Sequence, residues 1–572
     1  MIGILSHLVR IYGEEQGQAS FDRLNLLFEN YRPQVPAPRS KGLSQRDAFL
    51  ITYGDQVQEP GVKPLQSLAE FCNFHLAGCV SSIHLLPFYP YSSDDGFSVI
   101  DYRQVNPLLG SWEDIVQLGR SFRLMFDGVI NHISAKSSWF QGFLDGKPKF
   151  QDYFIAVEGQ PDLSKVVRPR ALPLLTPFSS KDGQKSIWTT FSEDQIDLNY
   201  HNPDVLLEIL DILLFYIAHG AEFIRLDAIA YLWKEIGTSC IHLPQTHWII
   251  QVIRAILDKL TPHVMLITET NVPHSDNLSY FGNGYNEAQL VYNFAMPPLV
   301  LHTLQTGNAR ALTCWAEGLS LPSSQVTFFN FLASHDGIGL NPARGILGEA
   351  EIDALVERTK ERGGLVSFKR NSDGSQSPYE LNINYMDALS NPALDEPVDI
   401  VVDRFIAAHA LMLSFIGVPG IYFHSLFGSK GWPEGVQVTG RNRTINRQKC
   451  SRFELDRDLA EPASLRSMVF QRMKHLLEVR AAHPGFHPQA EQKVIDCGPS
   501  VFALLRRSDE YGEKILYLQN VTQRPQRVEL AIGDILTSSS SFWNELISGS
   551  VLDLSQNQAV RLAPYQAAWL AA

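Results

Sequence analysis

Short runs of apolar residues alternate with longer helix-like stretches through most of this chain. The runs are rich in β-branched and aromatic residues, which favour strands. Eight such runs follow residue 48: FLITYG, SSIHLLPF, RLMFDGVIN, AEFIRLDA, VMLITET, LVYNFA, VTFFNFLASHD and VPGIYF. Eight strands that alternate with helices are typical of an α/β fold, the parallel (β/α)8 TIM barrel. The pattern therefore predicts that barrel as the main domain.

Acidic residues lie at or near the ends of several of these runs. Asp127, Asp227, Glu269 and Asp336 are the main ones. Because barrel active sites lie at the C-terminal ends of the strands, we expect these side chains to meet in one site. A single residue of this kind also occurs as a cap or in a loop, so the prediction depends on the whole set.

Two of the acids are expected to differ in protonation. Arg225 and Asp227 are two residues apart on a predicted strand and share a face, so the guanidinium would keep Asp227 ionised. Glu269 follows the apolar run VMLIT, where burial would raise its pKa and keep it protonated. Retaining glycoside chemistry uses such a pair, a nucleophile and a general acid about 5 to 5.5 Å apart.

The pattern divides the chain into seven segments. Two short helices are expected before Pro33, with Ser20 as the N-cap of the second, followed by a proline-rich linker. Short strand-like runs after a helical stretch near Ser464–Ala482 predict a small antiparallel β-domain. The predicted segments are 1–48 (helical extension and linker), 49–133 (barrel), 134–198 (first insertion), 199–341 (barrel), 342–398 (second insertion), 399–492 (barrel) and 493–572 (C-terminal β-domain).

Composition narrows the class of protein. The 572 residues are 45 % hydrophobic and 19 % charged, which is typical of a soluble globular protein of several domains. The net charge of −13 works against nonspecific binding of nucleic acid or of an anionic membrane. The six scattered cysteines, the lack of signal-peptide features and the lack of a run of about 20 apolar residues predict a cytoplasmic protein.

Four motifs, in order along the chain, resemble the conserved regions of glycoside hydrolase family 13, the α-amylase superfamily. FDGVINH is similar to the first region, IRLDA to the second, ITET to the third and LASHD to the fourth. The resemblance implies that Asp227 is the nucleophile, Glu269 the acid/base and Asp336 the transition-state stabiliser. It also implies that three residues grip the sugar: His132, Arg225 and His335.

Within this family the chain resembles the sucrose phosphorylase group. FYPYSSDDGFSVIDY is similar to the segment that closes one side of the glucose pocket, with Asp94 as a hydrogen-bond acceptor and Phe97 as an aromatic platform. Further matches are RPRALPLLTPF, KEIGTSC, ASHDGIGL, GVPGIYF and the INR of GRNRTINR. The resemblance implies phosphate as a substrate, no cofactor and no metal site.

Two departures from sucrose phosphorylases concern the acceptor. Tyr379 is followed by Glu380 where that group carries Gln, and Arg443 is followed by Thr444 where it carries Asp. On these points, and in its N-terminal extension, the chain is more similar to glucosylglycerate phosphorylases, whose acceptor is a small carboxylate. Thr444 favours an anionic acceptor, whereas Glu380 opposes one unless it pairs with an arginine or an acceptor hydroxyl.

The expected activity is therefore transfer of glucose from 2-O-α-glucosylglycerate to phosphate. Sucrose phosphorylase, sucrose 6-phosphate phosphorylase, and an α-glucosidase or transglucosidase are the alternatives, and a non-catalytic subunit is the rival outside enzymes. The expected partners are a small glucoside and phosphate, without nucleic acid or membrane, and the chain is expected to be a monomer or homodimer. The substrate contacts in the two insertions are expected from Tyr379, Glu380 and Arg443, with Arg168, Arg170 and Arg441 as further phosphate or acceptor candidates.

Overall fold

The core of the protein is a closed barrel of eight parallel strands. A computed structural model describes residues 2–40, 42–170, 172–371, 374–391, 394–529, 542–553 and 559–571. The barrel strands, numbered β1 to β8, are Phe49–Thr52, Ser82–Leu85, Arg123–Gly128, Ala221–Leu226, Met265–Thr268, Leu290–Tyr292, Thr327–Asn330 and Val418–Tyr422. Each of the eight apolar runs supplies one strand, so the predicted fold is confirmed.

The strands read as continuous apolar runs because both of their faces are covered. Inside the barrel, the ring of Phe49 meets the edges of Phe223 and Phe329 at centroid distances of 4.8 and 5.3 Å. Helices connect consecutive strands: Pro64–His75, Trp112–Leu118, Pro203–Ala218, Pro244–Leu260, His274–Leu278, Met296–Thr306, Arg310–Glu317 and Val398–Ser414. The helix Leu465–Ala482 follows β8 and leads to the C-terminal sheet. Proline stands in the first turn of several of these helices, where its missing N–H costs nothing.

Two insertions interrupt the alternation of strands and helices. Between β3 and β4 lie the helix Ser138–Leu144, the antiparallel sheet of Ala156–Val157, Leu175–Ser180 and Gly183–Trp188, and the pair His132–Ser134 with Gln195–Asp197. Between β7 and β8 lie the helices Glu349–Glu361 and Tyr385–Leu389 and the sheet of Ile338–Gly339, Leu365–Arg370 and Gln376–Asn382. The predicted turn KRNSDGSQ includes residues 372 and 373, which lie outside the described residues. The predicted segment limits stay predictions.

An antiparallel sheet follows the barrel, as predicted. Its strand order is Glu491–Asp496, Val501–Ser508, Glu513–Asn520, Ala567–Ala571, Phe542–Glu545 and Val551–Asp553, and Gln526–Glu529 pairs separately with Ala559–Leu562. The predicted run RVELAI extends to residues 530–532, outside the described residues. The indole N–H of Trp569 donates to the hydroxyl of Ser414 at 2.7 Å, which fixes this sheet to the barrel helix that precedes β8.

The N-terminal extension forms two helices, α1 (Ile2–Tyr12) and α2 (Glu14–Tyr31). The prediction of Ser20 as an N-cap is wrong, because α2 begins at Glu14 and Ser20 lies buried inside it. Gly13, with φ at +81°, makes the reversal between the helices. A Cβ at Gly17 would approach the backbone of Val9 to 2.7 Å, so this glycine allows the two helices to pack closely.

The extension packs against the two helices that flank β4. The hydroxyl of Tyr12 donates to the carbonyl of Tyr200 at 3.0 Å, just before the helix Pro203–Ala218. The guanidinium of Arg10 lies 4.1 Å from the ring centre of Trp248 in the helix Pro244–Leu260. The extension therefore supports the part of the barrel that carries Asp227.

We predict that Leu8→Ala lowers the free energy of unfolding of the whole protein by about 2–5 kcal/mol, because it leaves a cavity in a packed interface. Leu8 is fully buried. Leu26→Ala is the matched control in α2, since Leu26 is 61 % exposed and its loss should change little. Denaturant unfolding measures both. Equal, small effects would contradict cooperative folding of the extension with the barrel.

Candidate active site

The C-terminal ends of the barrel strands open into a cavity that is partly open to solvent. Most of the predicted site residues line it: Asp94, Phe97, His132, Arg170, Asp227, Glu269, His335, Asp336, Tyr379 and Arg443. Residues that the sequence interpretation missed line it too, among them Phe191, Gln195, Tyr231 and Asn271. Tyr231 and Asn271 follow the motifs IRLDA and ITET, and Phe191 and Gln195 lie in the first insertion; none of the four carries a charge, so no signal singled them out.

Arg225 lies beneath the cavity and organises its floor. Its side chain is 2 % exposed, and one guanidinium nitrogen contacts Asp127 and also donates to Asp227 at 2.9 Å. The strand register places Arg225 directly beside Asp127, which also accepts from His84 at 2.8 Å. Burial opposes ionisation of Asp127, but Arg225 and His84 hold its pKa at about 2. Asp127 is therefore ionised and competes with Asp227 for the positive charge of Arg225.

The pKa values of the predicted nucleophile, Asp227, and of the predicted acid/base, Glu269, are both raised. Burial raises the pKa of Asp227 well above its usual range against the pull of Arg225, and the charge of Glu269 adds to the increase. Burial also raises the pKa of Glu269, again against Arg225. Arg225 does pull the pKa of Asp227 down, as expected, but the expected net decrease is wrong, because burial and the neighbouring carboxylates outweigh the guanidinium.

The geometry still distinguishes the two acids. The guanidinium nitrogens of Arg225 lie 2.9 Å from Asp227 but 3.9 Å from Glu269. Two neighbouring buried carboxyl groups retain a proton that each would lose alone. The closer ion pair places the negative charge on Asp227 and leaves the proton on Glu269, which suits a nucleophile and a general acid.

A strained backbone position joins the ends of β4 and β5. Ala228 has φ at +50°, a left-handed conformation that costs energy for a residue other than glycine. Its N–H donates to the carboxyl of Glu269 at 3.1 Å. The sharp turn after Asp227 thereby fixes both predicted catalytic side chains relative to each other.

A buried lysine fixes one side of the sugar pocket. The Lys234 side chain, 2 % exposed, lies 2.7 Å from Asp197 and donates to the amide oxygen of Asn131, also at 2.7 Å. The Asn131 amide contacts Nδ1 of His132 at 3.2 Å. Nε2 of His132 must donate to the carbonyl of Phe97, 2.9 Å away, because a carbonyl only accepts. Burial lowers the pKa of His132, so the ring is neutral.

The opposite wall is aromatic and acidic. The rings of Phe97 and His335 stack with centroids 4.8 Å apart and planes 4° from parallel. Asp94 lies 3.6 Å from Arg170 and 3.7 Å from Arg447. Burial opposes the charge of Asp94, but these two guanidinium groups hold its pKa well below the usual range. Asp94 is therefore an ionised acceptor, suited to sugar hydroxyls.

Arg447 is a charged residue of the site to which the sequence interpretation gave no role. Its Nε donates to the carbonyl of His335 at 2.9 Å, and Nη1 donates to Asp95 at 2.6 Å. Its Nη2 lies 3.6 Å from Asp336. The motif INR contains this arginine, but the predicted acceptor candidates are the arginines that precede it.

Arg443 joins the second insertion to the floor of the cavity. Its Nε and Nη2 donate to the two oxygens of Glu380 at 3.0 and 2.7 Å, and its Nη1 contacts Asp336. Glu380 thus pairs with an arginine, one of the two ways in which its charge was expected to be tolerated. Its carboxylate lies behind the cavity wall.

Only part of the predicted basic cluster meets the cavity. Arg170 lines it, beside Asp94. Arg168 instead donates to the carbonyl of Leu172 at 3.4 Å, and Arg441 is exposed; neither lines the cavity. Within the described ranges, no group of three or more acidic, histidine or cysteine side chains is placed to hold a metal ion, and no helix is long and apolar enough to cross a membrane.

Comparisons with known proteins agree with this geometry. The family model for the alpha amylase catalytic domain matches residues 78–336. The crystal structure of sucrose 6F-phosphate phosphorylase from Thermoanaerobacter thermosaccharolyticum superposes with a TM-score of 0.72 at 25 % identity, over 83 % of this chain and 94 % of that chain. The protein belongs to the α-amylase superfamily, glycoside hydrolase family 13.

Over its full length, the chain is similar to a narrower group of proteins within this superfamily. Glucosylglycerate phosphorylase of Spirochaeta thermophila is 49 % identical over 571 residues, which is 98 % of this chain and 97 % of that protein. Glucosylglycerate phosphorylase of Escherichia coli is 47 % identical over 568 residues, 99 % of each chain. The similarity thus includes both insertions and the N-terminal extension.

We predict that Lys234→Ala destabilises the protein by about 3–5 kcal/mol, because it leaves Asp197 buried without a partner charge. Lys149→Ala is the control: Lys149 is 59 % exposed and pairs with Glu208 at 2.7 Å, an arrangement worth about 0–1 kcal/mol. Denaturant unfolding measures both variants. A loss below about 1 kcal/mol for Lys234→Ala would contradict a structural role of the buried pair.

Proposed function

We propose that this protein is a retaining glycoside phosphorylase that converts 2-O-α-glucosylglycerate and phosphate into α-glucose 1-phosphate and D-glycerate. The observation that carries the proposal is the convergence of Asp227, Glu269 and Asp336 on one cavity whose wall also includes Arg170 and Arg443. The full-length similarity to glucosylglycerate phosphorylases supports the choice of substrate. The six unpaired cysteines fit a cytoplasmic protein.

The first step forms a covalent intermediate. The Asp227 carboxylate attacks the anomeric carbon of the glucosyl group, while Glu269 gives its proton to the departing glycerate oxygen. Asp94 and Asp336 hold the sugar hydroxyls, His132 lines the sugar pocket beside them, and the ring of Phe97 supports the sugar face. The products of this step are D-glycerate and a β-glucosyl-enzyme.

In the second step phosphate, in place of water, attacks the glucosyl-enzyme. An oxygen of dihydrogen phosphate attacks the anomeric carbon as the bond to Asp227 breaks, and Glu269 takes the proton that the phosphate loses. Two inversions at the same carbon leave the α configuration unchanged. Asp227 and Glu269 return to their starting protonation states.

The acceptor side favours an anion over a neutral ketose. Thr444, next to Arg443 in the chain, is buried outside the cavity lining and shares a hydrogen bond of 2.8 Å with Thr439, so a neutral pair stands where sucrose phosphorylases carry an acid. Glu380 is paired with Arg443 and does not repel the acceptor directly. Arg170 and Arg443 offer N–H groups to a carboxylate or a phosphate, the pairing that guanidinium geometry suits best.

We predict that the pH dependence differs between two donors. Burial raises the pKa of Glu269, and kcat/KM for glucosylglycerate should fall as pH rises through that pKa. α-Glucosyl fluoride needs no proton on its leaving group, so its alkaline decline should be absent. Glu269→Gln should lose several orders of magnitude in kcat/KM with glucosylglycerate and far less with the fluoride. Equal losses with both donors would reject Glu269 as the acid.

The acceptor assignment is tested in the reverse direction. α-Glucose 1-phosphate is supplied with D-glycerate, fructose, fructose 6-phosphate or glycerol, and phosphate release is measured, with the Asp227→Asn variant as an inactive blank. We expect the fastest release with D-glycerate. Fastest release with fructose would assign sucrose instead, and fastest release with fructose 6-phosphate would assign its 6-phosphate. Release independent of any acceptor would indicate a hydrolase.

A further inference from the structure

The acceptor side of the cavity presents an electrostatic problem. Arg170 and Arg443 both face carboxylates, so neither is an uncompensated cation ready for an anion. A phosphate anion entering such a site would meet nearby negative charge as well as positive charge. If one of these arginines released a carboxylate and bound the phosphate instead, the anion would gain a partner of opposite charge.

Arg443 has two unequal attachments. Glu380 accepts two aligned hydrogen bonds from Nε and Nη2 at 3.0 and 2.7 Å, and the amide of Asn382 donates to the same carboxylate at 2.6 Å. The Glu380 side chain is 2 % exposed and does not line the cavity. Bidentate, buried, charge-assisted bonds of this kind are the strong ones, so this edge of the guanidinium is fixed.

The other edge is held by an ion pair without an aligned hydrogen bond. Nη1 of Arg443 contacts Oδ1 of Asp336, but that buried oxygen makes no aligned hydrogen bond with any residue that the structure describes. Asp336 lines the cavity beside Asp227 and Glu269. Sugar hydroxyls that donate to Asp336 would supply the missing hydrogen bonds and weaken its hold on Nη1.

We infer that Glu380 is a positioning residue that anchors Arg443 by Nε and Nη2, so that Nη1 passes from Asp336 to the phosphate or glycerate anion once glucose occupies the site. This inference rests on the proposed function and deepens it. An occupied glucosyl subsite thereby strengthens the binding of the anion, and by linkage the anion strengthens the binding of glucose to the same extent.

The role of Glu380 is tested with α-glucosyl fluoride as donor, because fluoride leaves no anionic group in the acceptor subsite. KM is measured for phosphate, for D-glycerate and for glycerol, the neutral analogue of glycerate. Glu380→Gln should raise KM about tenfold or more for both anions, the effect of losing a charged hydrogen bond, and by less than about twofold for glycerol. Arg443→Lys should show the same anion-specific loss, since an ammonium lacks the guanidinium fork.

The matched control is an exposed carboxylate that also pairs with an arginine. Glu349→Gln removes a carboxylate that pairs with Arg344 at 2.8 Å and is 75 % exposed, and it should leave all three KM values unchanged. An equal rise for glycerol and glycerate in Glu380→Gln would indicate general damage and overturn the inference. A lower KM for phosphate would also overturn it, because Glu380 would then only neutralise Arg443.

The exchange of partners is tested by calorimetry. Phosphate is titrated into the wild-type enzyme with and without saturating D-glucose, which fills the glucosyl subsite. Glucose should tighten phosphate binding about threefold or more, and Asp336→Asn should abolish that increase. Equal affinities with and without glucose in the wild type would refute the exchange. If D-glycerate proves not to be an acceptor, the proposed substrate fails, while the phosphate and glycerol comparisons still test Glu380 and Arg443.

Discussion

One buried guanidinium holds the catalytic floor together. Arg225 contacts Asp127 and Asp227 and lies 3.9 Å from Glu269, so a single positive charge joins the ends of β3, β4 and β5. Asp127 is bound in turn by His84 of β2. A charge this deeply buried is tolerated only while its partners stay in place, and the relative positions of four neighbouring strands therefore depend on it. The same sharing leaves Asp227 with only part of the arginine's charge.

Ion pairs also join the loops above the barrel. Charged groups there have partners from other parts of the chain: Lys234 with Asp197, Arg447 with Asp95, and Arg443 with Glu380. These pairs connect loops that are far apart in the sequence. They also explain how a protein of net charge −13 can receive anionic substrates, since local pairs decide the field at the site rather than the overall charge.

The barrel and the identity of its acids could be predicted because both depend on local patterns. Apolar runs of strand length were sufficient to place all eight strands, and acids at their ends were sufficient to indicate one site. Ser20 shows where local patterns fail. Its type favours a cap, but docking of α2 against the barrel buries it in mid-helix. The conformation of Ala228 had no local signal, because alanine does not favour a positive φ.

The amino-acid sequence by itself determined the fold class, the acids at the strand ends and the resemblance to phosphorylases of small glucosides, since these follow from periodicity and from short motifs. The tertiary structure decided which charges meet. Arg225 is close in sequence to Asp227 alone, yet the pairing of β4 with β3 gives it Asp127 as a second partner, and burial of Asp227 outweighs the arginine and raises the pKa of that carboxyl. Glu380 and Arg443 are 63 residues apart, and their pairing depends on how two loops pack over the barrel. Electrostatic energy depends on distance in space, which no local pattern of residues records.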